Sequence, residues 1–138
     1  MRKREYGEVL IGDEVCFSKT ITEADVWAFG GISGDFNPIH MDEYYANSSM
    51  FKTRIAHGML TASLIDYTLN ALMGPGGIHI SQELKFMAPV KIGDSIQVKS
   101  SVIDKIESKN RLVIKTIMKN QEDRVVLEGT AITMMPRQ

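Results

Sequence analysis

The sequence predicts an α+β fold in one domain, with a long central helix held against a curved antiparallel sheet. Three observations predict it. At 138 residues the chain suits one domain rather than two. Beyond residue 77, apolar and polar residues alternate in short runs divided by turn residues. That is the rhythm of hairpin strands with one buried face. Between Gly58 and Met73 the apolar residues fall on most sides of a helix, and such a helix is usually buried on most sides.

The elements follow in order. Val15, Phe17 and Lys19 to Ile21 suit a short strand. Cys16 lies within it and reads as a small buried hydrophobe. It is the only cysteine, so no internal disulfide can form. Thr22 is an N-cap, with Glu23 and Asp25 in the first turn of a helix that presents Ala24, Trp27 and Ala28; Gly30 and Gly31 end it. A polar loop runs from Ser33 to His40, a short helix spans Asp42 to Ala46, and a loop follows through Lys52, Thr53 and Arg54. The central helix then runs from Gly58 to near Met73, before Gly74-Pro75-Gly76-Gly77.

Four strands complete the chain. Ile78, Ile80, Leu84 and Phe86 alternate, with Gln82 interrupting. Ile96, Val98 and Val102 alternate, with Ser100 interrupting. Leu112, Ile114, Thr116 and Met118 form the third set, and Val125, Leu127, Gly129, Ala131 and Thr133 the fourth. The turns between them are Ala88 to Asp94, Ser108 to Asn110 and Asn120 to Asp123. The simplest packing lays the apolar helix against the concave face of this sheet, the hot-dog arrangement, over residues 1–138. Its open edge needs cover, so a homodimer is expected.

Composition excludes several classes. Hydrophobic residues are 43% and charged residues 24%, enough for an ordinary core without disulfides or a structural metal. A net charge of -1 argues against a nucleic-acid face or a polybasic membrane anchor. The basic N-terminus is followed by no apolar run, and no stretch is long and apolar enough to span a bilayer. The expected compartment is the cytoplasm. His40, His57, His79 and Cys16 show no metal-ligand spacing, and no Gly-rich phosphate loop or serine nucleophile elbow is present. Neither metal nor cofactor is expected.

The chemistry concentrates in Phe29-Gly30-Gly31-Ile32-Ser33-Gly34-Asp35-Phe36-Asn37-Pro38-Ile39-His40. On a continuous helix Asp35 and His40 would diverge by roughly 140°. Pro38 forbids that helix and holds Asn37 extended, while Gly34 permits a tight turn. A curled segment can bring both side chains to one point. Hydration of an electron-poor double bond needs a base for water and an acid for the alpha carbon. A carboxylate and an imidazole sharing one water supply both. Taken singly, each residue has an ordinary explanation: Asp35 as a turn residue bonding its own backbone, His40 as a surface or satisfied loop residue.

The segment resembles the signature of the hydratase 2 group of MaoC-like dehydratases, the (R)-specific enoyl-CoA hydratases. Phe29, Ile32, Ser33, Gly34, Asp35, Asn37, Pro38, Ile39, His40 and Ala46 carry the resemblance. Ala56-His57-Gly58-Met59-Leu60 is similar to the family's second marker. Phe86-Met87-Ala88-Pro89-Val90 with Gly93-Asp94 is similar to its strand-turn segment. The resemblance implies a hot-dog fold and reversible hydration of a trans-2-enoyl-CoA to an (R)-3-hydroxyacyl-CoA. It makes Asp35 and His40 the catalytic pair that holds the water. Which of them takes the first proton is left open.

It further implies that the amide of Gly58 holds the thioester carbonyl, a role that an amide at a helix N-terminus suits. His57 and Asn37 are further substrate-binding candidates; His57 equally serves as a structural residue bonding a nearby backbone group. Asp66 and Leu69 occupy positions that line the family's acyl tunnel, and a polar residue there suits a short or polar acyl chain. Asp66 otherwise reaches a solvated end of the pocket or pairs with a basic side chain. His79 reads as structural or exposed. Lys52, Arg54, Lys85 and Lys91 are the cations available for the coenzyme A phosphates, and each reads as a solvated surface charge. Two other functions fit the fold: a hot-dog acyl-CoA thioesterase with its carboxylate on the central helix, and a non-catalytic acyl-CoA-binding module.

Overall fold

The computed structural model describes residues 1–137. After a single 3₁₀ turn at Tyr6–Glu8 come strand β1 (Glu14–Thr20) and helices α1 (Glu23–Ser33), α2 (Pro38–Met41) and α3 (Glu43–Asn47). The central helix is two pieces, α4 (Gly58–Ser63) and α5 (Ile65–Met73). Strands β2 (Ile78–Phe86), β3 (Ser95–Ile106), β4 (Arg111–Lys119) and β5 (Val125–Met134) follow. They form one antiparallel sheet in the order β1-β3-β4-β5-β2.

The inward rows are those the alternation marked. Ile96, Val98 and Val102 on β3, Leu112, Ile114 and Met118 on β4, and Leu127 and Ala131 on β5 are buried with Leu60, Ile65, Leu69 and Leu72 of the central helix. Each fully buried Leu or Ile contributes roughly 1.5–3 kcal/mol over leaving it exposed. Ser100 does not break the β3 row. It is fully buried in phase, bonded to the Thr116 hydroxyl at 2.6 Å and the Thr68 hydroxyl at 2.7 Å.

Thr22 caps α1 as predicted. Its hydroxyl accepts the Asp25 amide at 3.1 Å, and the Asp25 carboxylate accepts the Thr22 amide at 2.9 Å. The helix does not end at Gly30 and Gly31. It continues to Ser33, and Gly34 caps it at φ +77° with its amide on the Gly30 carbonyl. Gly30 is there for space: a Cβ on it would lie 2.6 Å from Met41 Cε and 3.1 Å from Phe36.

Other expectations need correction. The central helix breaks at Leu64, where the Ser63 hydroxyl bonds the Leu60 carbonyl at 2.6 Å and the Leu64 amide bonds Thr61 three residues back. A hydroxyl competing for helix carbonyls favours such a tightened turn. The helix is also open on one side, since Asp66, Tyr67, Asn70 and Ala71 are exposed. Cys16 is exposed, not buried: β1 turns Val15 and Phe17 inward, and strand alternation sends Cys16 out. On β2, Ile78, Ile80 and Phe86 are about half-exposed, because β2 pairs only with β5 and its outer edge is free. Among the described residues, no helix is long and apolar enough to cross a membrane.

Candidate active site

The loop predicted from Ser33 to His40 closes with a turn of helix. Asn37 is extended at φ -53°, ψ 131°, and its side chain accepts the Ile39 amide at 3.1 Å. Pro38 opens α2, the helix position that needs no amide hydrogen. His40 therefore sits on α2 rather than in a loop. Asp35 bonds the Asn37 amide through Oδ1 at 3.1 Å, so its turn role is real. Its other oxygen, Oδ2, lies 3.7 Å from His40 Nε2. That separation is too long for a direct hydrogen bond and short enough for one water to touch both.

The state of His40 follows from its other nitrogen. Nδ1 lies 2.7 Å from the Ile55 carbonyl, which can only accept. Nδ1 therefore carries a hydrogen, and in the neutral ring the nitrogen left bare is Nε2, the one facing Asp35. The Asp35 side chain is 49% exposed and that of His40 is 11% exposed. His57, 2% exposed, donates Nε2–H to the Asp35 carbonyl at 2.8 Å and stacks on His40 with ring centroids 4.0 Å apart. Phe29 packs against His57 in a tilted arrangement, 4.9 Å between centroids. His57 Nδ1 is buried without a partner.

Asp35, His40 and His57 offer ligand atoms within 4.8 Å of one another, a cluster that linear spacing concealed. Two of their ring nitrogens are already engaged by backbone carbonyls: His57 Nε2 by Asp35 and His40 Nδ1 by Ile55.

Two cavities flank the cluster. The first, about 310 Å³, is lined by Ile55, Ala56, Gly58, Phe86, Pro89 and Val90 among others. The Gly58 amide opens α4, so the helix offers it no acceptor. The break at Leu64 makes that helix short, so the amide matters more than any macrodipole. The second cavity, about 440 Å³, is lined by Phe29, Met59, Ser63, Asp66, His79 and Gln82 among others. Asp66 is exposed there, with His79 Nδ1 3.8 Å away, while His79 Nε2 meets Gln82 at 2.8 Å. Leu69 does not join that wall; it is 2% exposed within the core. Neither Asp35 nor His40 lines either cavity; the first is lined by Ile55, whose carbonyl His40 bonds, and the second by Phe29, which packs on His57.

Sequence reasoning missed two contributors. The Ile55 carbonyl left no signal, because a backbone group carries no residue signature. Arg54, read as a solvated charge, is 15% exposed and paired with Glu23 and Glu43.

A helix cradled by a curved antiparallel sheet, with a carboxylate and an imidazole facing each other beside the helix start, defines a hot-dog protein of the hydratase and dehydratase kind. The chain belongs to the MaoC like domain family, whose model matches residues 8–124. It is 41% identical over 132 residues to the (R)-specific enoyl-CoA hydratase of Rhodospirillum rubrum, covering 95% of this chain and 91% of that protein. It is 40% identical to the 3-hydroxybutyryl-CoA dehydratase of Methylorubrum extorquens over 99% of this chain and 87% of the relative. Among solved structures, unliganded R-hydratase PhaJ1 from Pseudomonas aeruginosa superposes with a TM-score of 0.90 at 40% identity, covering 96% of this chain and 86% of that one. The (R)-hydratase of A. caviae also gives 0.90, at 34% identity over 94% and 98%.

Proposed function

We propose that this protein is an (R)-specific enoyl-CoA hydratase, adding water to short trans-2-enoyl-CoA thioesters and removing it from (R)-3-hydroxyacyl-CoA in reverse. The 3.7 Å approach of Asp35 Oδ2 to a His40 nitrogen left bare by its own tautomer carries the reading. Water seated there attacks the beta carbon. One of its protons passes to the pair and is returned to the alpha carbon, so atoms and charge balance and no cofactor is needed. Negative charge gathers meanwhile on the thioester oxygen. The Gly58 amide, on the wall of the adjoining cavity, is suited to hold it. His57 and Asn37 shape the segment rather than touch the reacting atoms: one holds the Asp35 carbonyl, the other caps α2.

Relatives named for an enoyl-CoA hydratase and a 3-hydroxybutyryl-CoA dehydratase support the thioester class and a short chain. Asp66 on the second cavity supports a short or polar acyl group. The open edge of β2, with Ile78, Ile80 and Phe86 half-exposed, supports a homodimer. Free acyl-CoA as substrate suits a cytoplasmic enzyme of fatty-acid metabolism.

Crotonyl-CoA tests the proposal. Loss of the enoyl absorbance, with the (R) product and no free thiol, is the expected result. Asp35→Asn and His40→Ala should each lower turnover at least ~100-fold while the fold survives. Thiol release without hydration would make the protein a thioesterase, and wild-type rates in both variants would move the chemistry elsewhere.

A further inference from the structure

Arg54 spans the segment that holds the pair. Its NH1 and NH2 donate to both oxygens of Glu23 at 2.7 and 2.6 Å. Its Nε donates to Glu43 Oε2 at 3.2 Å. Glu23 is the first residue of α1, whose far end leads to Asp35; Glu43 is the first residue of α3, directly after α2 and His40. One guanidinium therefore ties together the elements on either side of the Asp35–His40 segment.

The clamp reaches His40 by a second route. Glu43 also accepts the Thr53 hydroxyl at 2.7 Å and lies 3.4 Å from the Arg54 amide. The next residue, Ile55, has its amide on the Ile39 carbonyl at 3.2 Å, and Ala56 has its amide on Val90 at 2.7 Å. The Ile55 carbonyl is thus held from both sides, and it fixes the hydrogen of His40 on Nδ1. Arg54 is 15% exposed, whereas the two carboxylates are half-exposed. A planar fork that engages two carboxylates is not reproduced by the point charge of lysine.

We propose that Arg54 is a positioning residue for the hydration reaction: by clamping Glu23 and Glu43 it sets the Ile55 carbonyl that keeps His40 Nε2 free. The inference rests on the Asp35–His40 reading above. The full chain with Arg54→Lys or Arg54→Met tests it. Two-bond nitrogen–proton correlation of the imidazoles, assigned with His40→Gln, reports the tautomer at neutral pH. The wild type should show His40 protonated on Nδ1, and the variants a mixture. Turnover on crotonyl-CoA should fall about 10- to 100-fold, in line with the cost of misplacing a reacting group, with KM changed less than about threefold.

Glu43→Gln, at an exposed position, should give a smaller change of the same kind, and it decides the matter if the Arg54 variants do not fold. An unchanged His40 tautomer, or a rise in KM with turnover intact, would overturn the role of Arg54. Full hydration by His40→Gln would instead sink the catalytic pair and leave the tautomer result standing.

Discussion

His57 lies face to face with His40, ring centroids 4.0 Å apart and planes 30° from parallel, while its Nε2–H holds the Asp35 carbonyl at 2.8 Å. One buried side chain thus touches both members of the pair, one through its ring and the other through its backbone. His57→Phe separates the two contacts. The ring and its stacking survive, and the hydrogen bond to Asp35 does not. A typical hydrogen bond contributes about 1 kcal/mol net, so the thermal midpoint should fall by about 3–5 °C for a chain of this size. Crotonyl-CoA turnover should fall about tenfold, well short of the loss in His40→Ala, because Asp35 is loosened rather than removed. A loss matching His40→Ala would mean that His57 meets the substrate itself.

What was legible here was local. Thr22 and Asp25 share one turn, and Asn37 and Pro38 act on their own neighbours, so residue type alone revealed the Thr22 cap and the bend. The inward rows of β3 to β5 were legible because alternation has a fixed period. Contacts made across the chain were not. Arg54 meets Glu23 from 31 positions away and His57 meets Asp35 from 22, and nothing in either neighbourhood names the partner. Cys16 was misread because its phase on β1 could be judged only against the inward Val15 and Phe17. Ser100 looked like an interruption because its buried partners sit on α5 and β4.

The Arg54 clamp should impose an acid limit on stability. The Arg54 hydrogen bonds hold Glu23 below its ordinary value of 4.5. Glu43 is held low first by the Thr53 hydroxyl and then by the Arg54 amide and guanidinium. A carboxylate with a lowered folded value stabilises above its unfolded value and loses that contribution as pH falls through the folded one. The thermal midpoint should therefore be insensitive to these groups from pH 7 to about 5, and should decline below 4.5. Asp13, held low chiefly by the Leu10 amide, extends the decline in any variant. The double variant Glu23→Gln/Glu43→Gln should start lower at pH 7 and descend less steeply. An acid limb as steep as the wild type's would assign it to other groups.

Thr68, Ser100 and Thr116 form a chain of hydroxyls inside the core, all at most 1% exposed. Thr68 donates onward to the Ile65 carbonyl at 2.7 Å, so the chain ties the start of α5 to β3 and β4. Ser100→Ala removes the middle link and leaves the Thr116 hydroxyl buried without its partner. A stranded buried hydroxyl costs about 1–3 kcal/mol. Chemical denaturation should show that loss, with an unchanged slope. The triple variant Thr68→Val/Ser100→Ala/Thr116→Val should be less destabilised than the single-site losses summed, since no stranded partner remains. Strict additivity would mean that the three hydroxyls act independently.

Gly58 offers the sharpest test of the thioester side of the site. A Cβ there would lie 2.8 Å from Phe86 Cε1 and 3.0 Å from Cδ1. Phe86 sits half-exposed on the edge strand and lines the cavity, so its ring has room to shift and the fold should tolerate Gly58→Ala. Alanine at a helix start also avoids glycine's entropic cost of roughly 0.5–1 kcal/mol, so the thermal midpoint should change by no more than about 3 °C. The cavity is a different matter. The new methyl and the displaced ring both enter the space in front of the Gly58 amide, where a thioester oxygen would bind. An amide that matters most when charge has gathered on that oxygen raises turnover more than it lowers KM. Gly58→Ala should thus reduce kcat/KM for crotonyl-CoA at least tenfold, about 1.4 kcal/mol of transition-state stabilisation, with most of the loss in kcat. Adding Phe86→Ala removes the ring and keeps the methyl. Recovery in that double variant would trace the loss to the crowded ring, and persistence would trace it to the amide. Wild-type kcat/KM in Gly58→Ala would remove this amide from the reaction altogether.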